Sequence, residues 1–315
     1  MRDLVITSVL LAGLTLTVWA QVKPLESIKV TKAPYFSALS PDGTKLFITG
    51  FADSEIQVVD VASRKATTRF YGGYEPVGIV ISPVGDKIFI TNFSPGLVKV
   101  INATTYEILD DIKVGGRPSN LVISPNGLQV FVTNLGKGKI GRIDFIDATS
   151  NRVVGEVEIG VRPVAAVLSP VGDRLFVVCS GSNDLYVVDT QVQEVVKKIP
   201  VGLQPDGVAI SPDGMTIYAA NSGTNDISLI DFLDLREIRR AQVGHKPFTL
   251  TVDDQGRIFV VETLDKTVTI YDSEFKKIRS FQAKKKPVDI QLSQDNRFAF
   301  VTDEKDNRLL VFEVP

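Results

Sequence analysis

One short turn sequence recurs along the whole chain. Ser40-Pro41-Asp42-Gly43 returns as Ser82-Pro83-Val84-Gly85, Ser124-Pro125-Asn126-Gly127, Ser169-Pro170-Val171-Gly172 and Ser211-Pro212-Asp213-Gly214, with degenerate copies at 253–256 and 293–296. Successive first positions lie 42, 42, 45, 42, 42 and 40 residues apart. A fixed period of about 40 to 45 residues is the size of one four-stranded propeller blade. Helical repeats of similar length carry apolar residues at i, i+3 and i+4. Each unit here instead has short runs rich in β-branched and aromatic residues between turn signals. In the second unit these runs are 77–81, 87–91, 97–101 and 105–112. The expectation is an all-β chain: a seven-bladed β-propeller with four antiparallel strands per blade.

The two ends of the chain complete one another. After Ser293 only two runs remain, 298–302 and 309–312, so the last unit lacks an outer strand. Leu25-Glu-Ser-Ile-Lys-Val30 followed by Pro34 aligns with Val195-Val-Lys-Lys-Ile-Pro-Val201 followed by Pro205. The N-terminal strand is therefore expected in blade seven, where it hides a sheet edge and closes the ring. Residues 1–20 read as a secretory signal: Arg2 at a polar start, an apolar run over 4–18, and Val18-Trp19-Ala20 at the cleavage site. That run is shorter than the ~20 residues of a membrane span. The expected product is one propeller domain over 21–315, cleaved after Ala20, without a span, monomeric, and periplasmic or secreted.

Phe89-Ile-Thr-Asn92, Phe131-Val-Thr-Asn134 and Tyr218-Ala-Ala-Asn221, with Val187-Val-Asp189 and Leu229-Ile-Asp231 as following strands, resemble the signature of the YVTN family of seven-bladed propellers. The resemblance runs over residues 24–315 and departs from the pattern at Gly50, Cys179, Glu262 and Asp303, where other units place Asn. It implies an extracytoplasmic binding scaffold akin to YncE-like and surface-layer repeat proteins, with DNA binding among YncE-like members. It brings no catalytic motif.

Composition narrows the chemistry. Lys and Arg total 35 against 37 Asp and Glu, a net charge of −2, so the surface as a whole is not built for polyanions and any anion site must be local. One Cys and one His exclude an internal disulfide, a CxxCH haem attachment and every multi-histidine metal site. No cofactor or metal is expected.

Features that recur in each unit are read as scaffold. The SPxG turns, and the acidic or amide residue closing the third strand (Asp60, Asn102, Asp147, Asp189, Asp231, Asp272 and finally Glu313), serve turn chemistry. Gly78, Ala165 and Gly207 fit the crowded start of inner strands. Residues that break the repeat are more informative. Before the inner-strand proline the units place Ala33, Glu75, Arg117, Arg162, Gln204, Lys246 and Lys286, four of them basic, at a connection expected to open on the mouth of the central channel. Lys284, Lys285 and His245 adjoin them, and Tyr35, Tyr74, Phe93 and Phe248 are aromatic neighbours. The candidate ligand-binding residues are thus Arg117, Arg162, Lys246, Lys286, His245 and Glu75, with no catalytic residue assigned. The expected partner is a protein, a glycan or a small anionic ligand; nucleic acid fits the net charge less well. The alternative is a lactonase-like hydrolase or lyase at the same mouth, with Glu75, Glu262, Asp303, Asn92, Asn134 and Asn221 as potential metal ligands, although basic neighbours oppose a cation. Cys179 is expected to be a buried thiol. Asn92-Phe-Ser94 and Asn102-Ala-Thr104 match glycosylation acceptors.

Overall fold

The computed structural model describes residues 22–136 and 140–315, so the expected export signal lies outside the described residues. Among the described residues, 28 strands form seven four-stranded antiparallel sheets. Blade two runs Pro76–Ile81, Lys87–Asn92, Leu97–Asn102 and Ile108–Lys113 from the axis outwards, and the other blades follow the same plan. Its outer strand begins at Ile108, three residues later than the sequence pattern suggests. The Asn102 side-chain oxygen accepts the N–H groups of Thr104 and Thr105 at 2.9 Å, and Tyr106 takes a left-handed φ of 62°, so the segment before Ile108 is a capped turn.

The periodic residues act as turn chemistry requires. Ser82 Oγ accepts the N–H of Lys87 at 3.0 Å while Gly85 adopts φ 75°, and Ser124, Ser169 and Ser211 repeat the bond. Asp147, Asp189 and Asp231 accept N–H groups of the next turn at 2.7–3.1 Å. Six outer strands pair with their neighbours through a register shift near the same end. Such bulges twist an exposed edge away from foreign strands.

Alternation within each strand sends apolar side chains to both faces of a blade, and these meet across the blade boundaries. The result is seven apolar clusters, one at each interface around the ring. Phe131 and Phe145 pack edge to face, and Phe281 stacks on Phe312. At the axis the inner strands nearly touch. A Cβ on Gly78 would stand 2.7 Å from the Ser119 carbonyl oxygen, and one on Gly207 would stand 2.6 Å from that of Phe248, so these positions are small because the next blade's backbone fills the space.

Closure follows the expected route. Strand Glu26–Lys29 pairs with Arg308–Glu313 in the register Glu26↔Val311 to Lys29↔Arg308 and is the fourth strand of blade seven. Val30 joins the apolar cluster between blades seven and one. Further in, Thr302 Oγ1 donates to the Tyr35 carbonyl at 2.8 Å, and Ser37 N–H and Oγ donate to Asp289 at 2.8 and 2.6 Å. Among the described residues no helix is long and apolar enough to cross a membrane.

Candidate functional site at the channel mouth

Each outer strand hands the chain to the next inner strand through a connection ending in Pro. The residue before that Pro adopts a left-handed φ of 47–56° in Ala33, Glu75, Arg162, Gln204 and Lys246. For residues with a Cβ this conformation costs on the order of 1 kcal/mol and persists only where neighbours enforce it. In blade three Gly115 and Gly116, the two residues before Arg117, take the left-handed conformation instead.

The N–H groups of Ala33, Gln204 and Lys246 donate to Asn307, Asn183 and Asn225 on the tips beyond the second strands at 2.8–2.9 Å, and groups at the ends of second strands hold the connections as well. Asn134 Oδ1 accepts the Arg117 N–H at 2.9 Å, and Asn92 Nδ2 donates to the carbonyls of Gly72 and Tyr74 at 2.9 and 3.1 Å. Asp303 accepts the N–H groups of Lys284, Lys285 and Lys286 at 2.8–3.0 Å. Glu262 accepts the Gly244 N–H together with hydroxyls of Thr267, Thr269 and Tyr271. At Gly50 the side chain is missing because the Thr31 hydroxyl occupies its place. Asn92, Asn134, Asn221, Glu262 and Asp303 are buried, and the bonds of Asn92, Asn134, Glu262 and Asp303 to the connections are scaffold bonds. Among the described residues no group of three or more acidic, His or Cys side chains is placed to hold a metal ion. Asn92 points inward, which removes it as a glycosylation acceptor in the folded chain. Cys179 is fully buried, and burial pushes its thiol up to about 12.

The side chains beyond these tethers form the mouth. Arg162 and Lys246 face a carboxylate that sequence comparison did not single out, Asp206, the second residue of its inner strand. Burial raises the Asp206 pKa; a 2.6 Å hydrogen bond from Ser222 Oγ and the charges of Lys246 and Arg162 oppose that rise. Arg117 lies with its guanidinium 5.7 Å from the centroid of the Phe93 ring. Among the described residues Arg117, Arg162 and Lys246 have no carboxylate within ion-pair distance. The remaining candidates have partners of their own. Lys286 pairs with Glu304, Lys285 with Asp306 at 3.1 Å, and Glu75 accepts the Ser94 hydroxyl. His245 Nδ1 lies 2.9 Å from Asp265 Oδ1, and its backbone N–H donates to Asp265 Oδ2 at 2.6 Å. The cationic arc therefore spans blades three, four and six, and blade seven's lysines are neutralised.

Below the mouth the channel holds a cavity of about 410 Å³ that reaches from Asp206 to Leu39, Ile81 and Ile123. Its walls are apolar along blades two and four and polar where Ser37, Asn120, Asp206, Thr249, Asp289 and Gln291 line it. Burial pushes the Asp289 carboxyl up to about 6 against its bonds from Ser37. Asp206 and Asp289 had a sequence signal: each is an acid on an inner strand where most units are apolar or uncharged.

A sequence profile of the family described as "Lactonase, 7-bladed beta-propeller" matches residues 11–279. No curated protein sequence matches the chain. Among solved structures the chain is similar to one titled Kuenenia stuttgartiensis Hydrazine Synthase, at 21% identity and a TM-score of 0.83 over 91% of this chain and 97% of that one. At that identity the likeness is one of fold.

Proposed function

The chain belongs to the seven-bladed β-propeller lactonase family, and from that premise we propose that it is an exported propeller that binds a small anionic ligand at the channel mouth. One observation carries this reading: Arg117, Arg162 and Lys246, which make no ion pair among the described residues, share one repeat position at the mouth, where the scaffold requires no charge. Clustered cations at a channel mouth attract an anion and steer its approach. Kinship with the YVTN propellers, supported by Asn at the second-strand ends of blades two, three and five, agrees with a binding scaffold.

The test is calorimetric titration with acetate, gluconate and benzoate at low salt. The double variant Arg162→Gln/Lys246→Gln should bind each carboxylate at least about tenfold more weakly and lose most of the salt dependence. Equal affinity in the variant sinks the proposal.

A second reading, lactone hydrolysis at the same mouth, draws on the family and on one geometric feature. Asp265 holds His245 through Nδ1, as a base-orienting carboxylate does in hydrolases, and Nε2 has no hydrogen-bond partner among the described residues. Under that reading His245→Ala abolishes turnover of a lactone panel, whereas Arg162→Gln acts mainly on KM.

A further inference from the structure

Beside the cationic arc the mouth is aromatic. Tyr35 of blade one and Phe248 of blade six meet edge to face across blade seven, with ring centroids 6.2 Å apart, and Phe36 packs edge-on against Tyr35 at 4.9 Å. Tyr35 and Phe248 are half-buried, and neither belongs to the seven apolar clusters between blades. The core does not account for them. Phe248 follows Lys246 by two residues, so ring and ammonium leave the same short segment.

Tyr35 adds a polar feature. Burial, reinforced by the charges of Glu304, Asp206 and Asp289, raises its pKa and keeps the phenol protonated. Among the described residues its hydroxyl donates to no protein group, although its backbone carbonyl is used in ring closure. An unspent donor, two rings outside the core and cations that make no close ion pair among the described residues thus share one rim with Asp206.

Building on the anion-site reading above, we infer that the ligand is an aromatic carboxylate. Its carboxylate lies between Arg162 and Lys246, its ring packs against Phe248 and Tyr35, and the Tyr35 hydroxyl donates to a ligand oxygen. A polyhydroxylated acid fits less well, because its hydroxyls would lose water against aromatic carbon. A single-stranded nucleic acid would also stack on the rings, but a chain of net charge −2 with three such cations at the mouth offers little to a backbone charged at every nucleotide.

The experiment titrates the chain with benzoate, gluconate and acetate at low salt, in the wild type, Phe248→Ala, Tyr35→Ala and Arg162→Gln, each checked for native near-ultraviolet circular dichroism. The wild type should prefer benzoate to both other acids by at least about tenfold, and Phe248→Ala should narrow that margin to less than about threefold. Tyr35→Ala supplies the same readout if Phe248→Ala does not fold. Arg162→Gln should weaken all three. Gluconate binding as tightly as benzoate, or a benzoate margin that survives both aromatic variants, overturns the aromatic assignment and leaves the anion site standing. A wild type that binds none of the three acids refutes the anion site and this inference together.

Discussion

Asp289 sits at the seam where the last blade meets the first, and its burial makes a quantitative demand on how stability varies with pH. In the native state its pKa is about 6, against ~3.9 in an unfolded chain. The folded protein therefore retains a proton that the unfolded chain has released between those values. This contribution to stability is complete below the unfolded pKa and is lost as pH rises through the native one. A separation of about two units at ~1.4 kcal/mol each makes the loss roughly 3 kcal/mol. Asp289→Asn preserves the shape and can still accept the Ser37 N–H, but it does not titrate. Urea unfolding of both proteins at about pH 4 and about pH 7.5 isolates the group, because Asp144 and Asp206, whose pKa values burial also raises, cancel in the comparison. The variant should gain about 2.4 kcal/mol on the wild type between the two conditions, because the unfolded carboxyl is already half ionised at about pH 4. A difference that stays flat to within about 1 kcal/mol would show that Asp289 ionises without cost, and burial would not be what raises its pKa.

Two further outcomes are expected. Val30→Ala should cost about 2 kcal/mol by removing buried methyl groups from the cluster between blades seven and one, and deletion of residues 22–30 should cost clearly more by also baring the edge of blade seven; an unchanged urea midpoint in the deletion variant would show that the ring holds without that strand. The exported chain should begin at Gln21, read by mass spectrometry of the periplasmic or culture fraction; a full-length chain starting at Met1 in the membrane fraction contradicts this.

The architecture was legible because a propeller repeats its constraints. Pro and Gly mark the same turn in five units, Gly78 and Gly207 mark close backbone approach, and alignment of Leu25 to Val30 with an outer strand anticipated closure. The cations of the mouth were legible for the opposite reason, since Arg117, Arg162 and Lys246 depart from what the repeat needs. What escaped was partnership through space. Glu304 follows Asp303 by one residue, and nothing in its unit shows that it neutralises Lys286. Tyr35 and Phe248 are 213 positions apart in sequence and meet only because the ring brings blades six and one to either side of blade seven. Asp206 is polar where other inner strands vary, but its facing Arg162 and Lys246 depends on the curvature of the ring, which one-dimensional comparison does not contain.

The pairing of Glu26 with Val311 also fixes a sequence of events in the life of the chain. The first strand to emerge during synthesis finds its partner only after nearly the whole chain has been made, so every incomplete product carries an unpaired strand at one end and an unfinished ring at the other. The entropic penalty of closing so long a loop grows only logarithmically with its length, so it is a delay and a modest cost. Local hairpins within each blade have every reason to form first, and the seam last. A chain truncated before blade seven leaves Glu26–Lys29 without its partner strand, and an unpaired strand is open to proteolysis and to pairing with other chains.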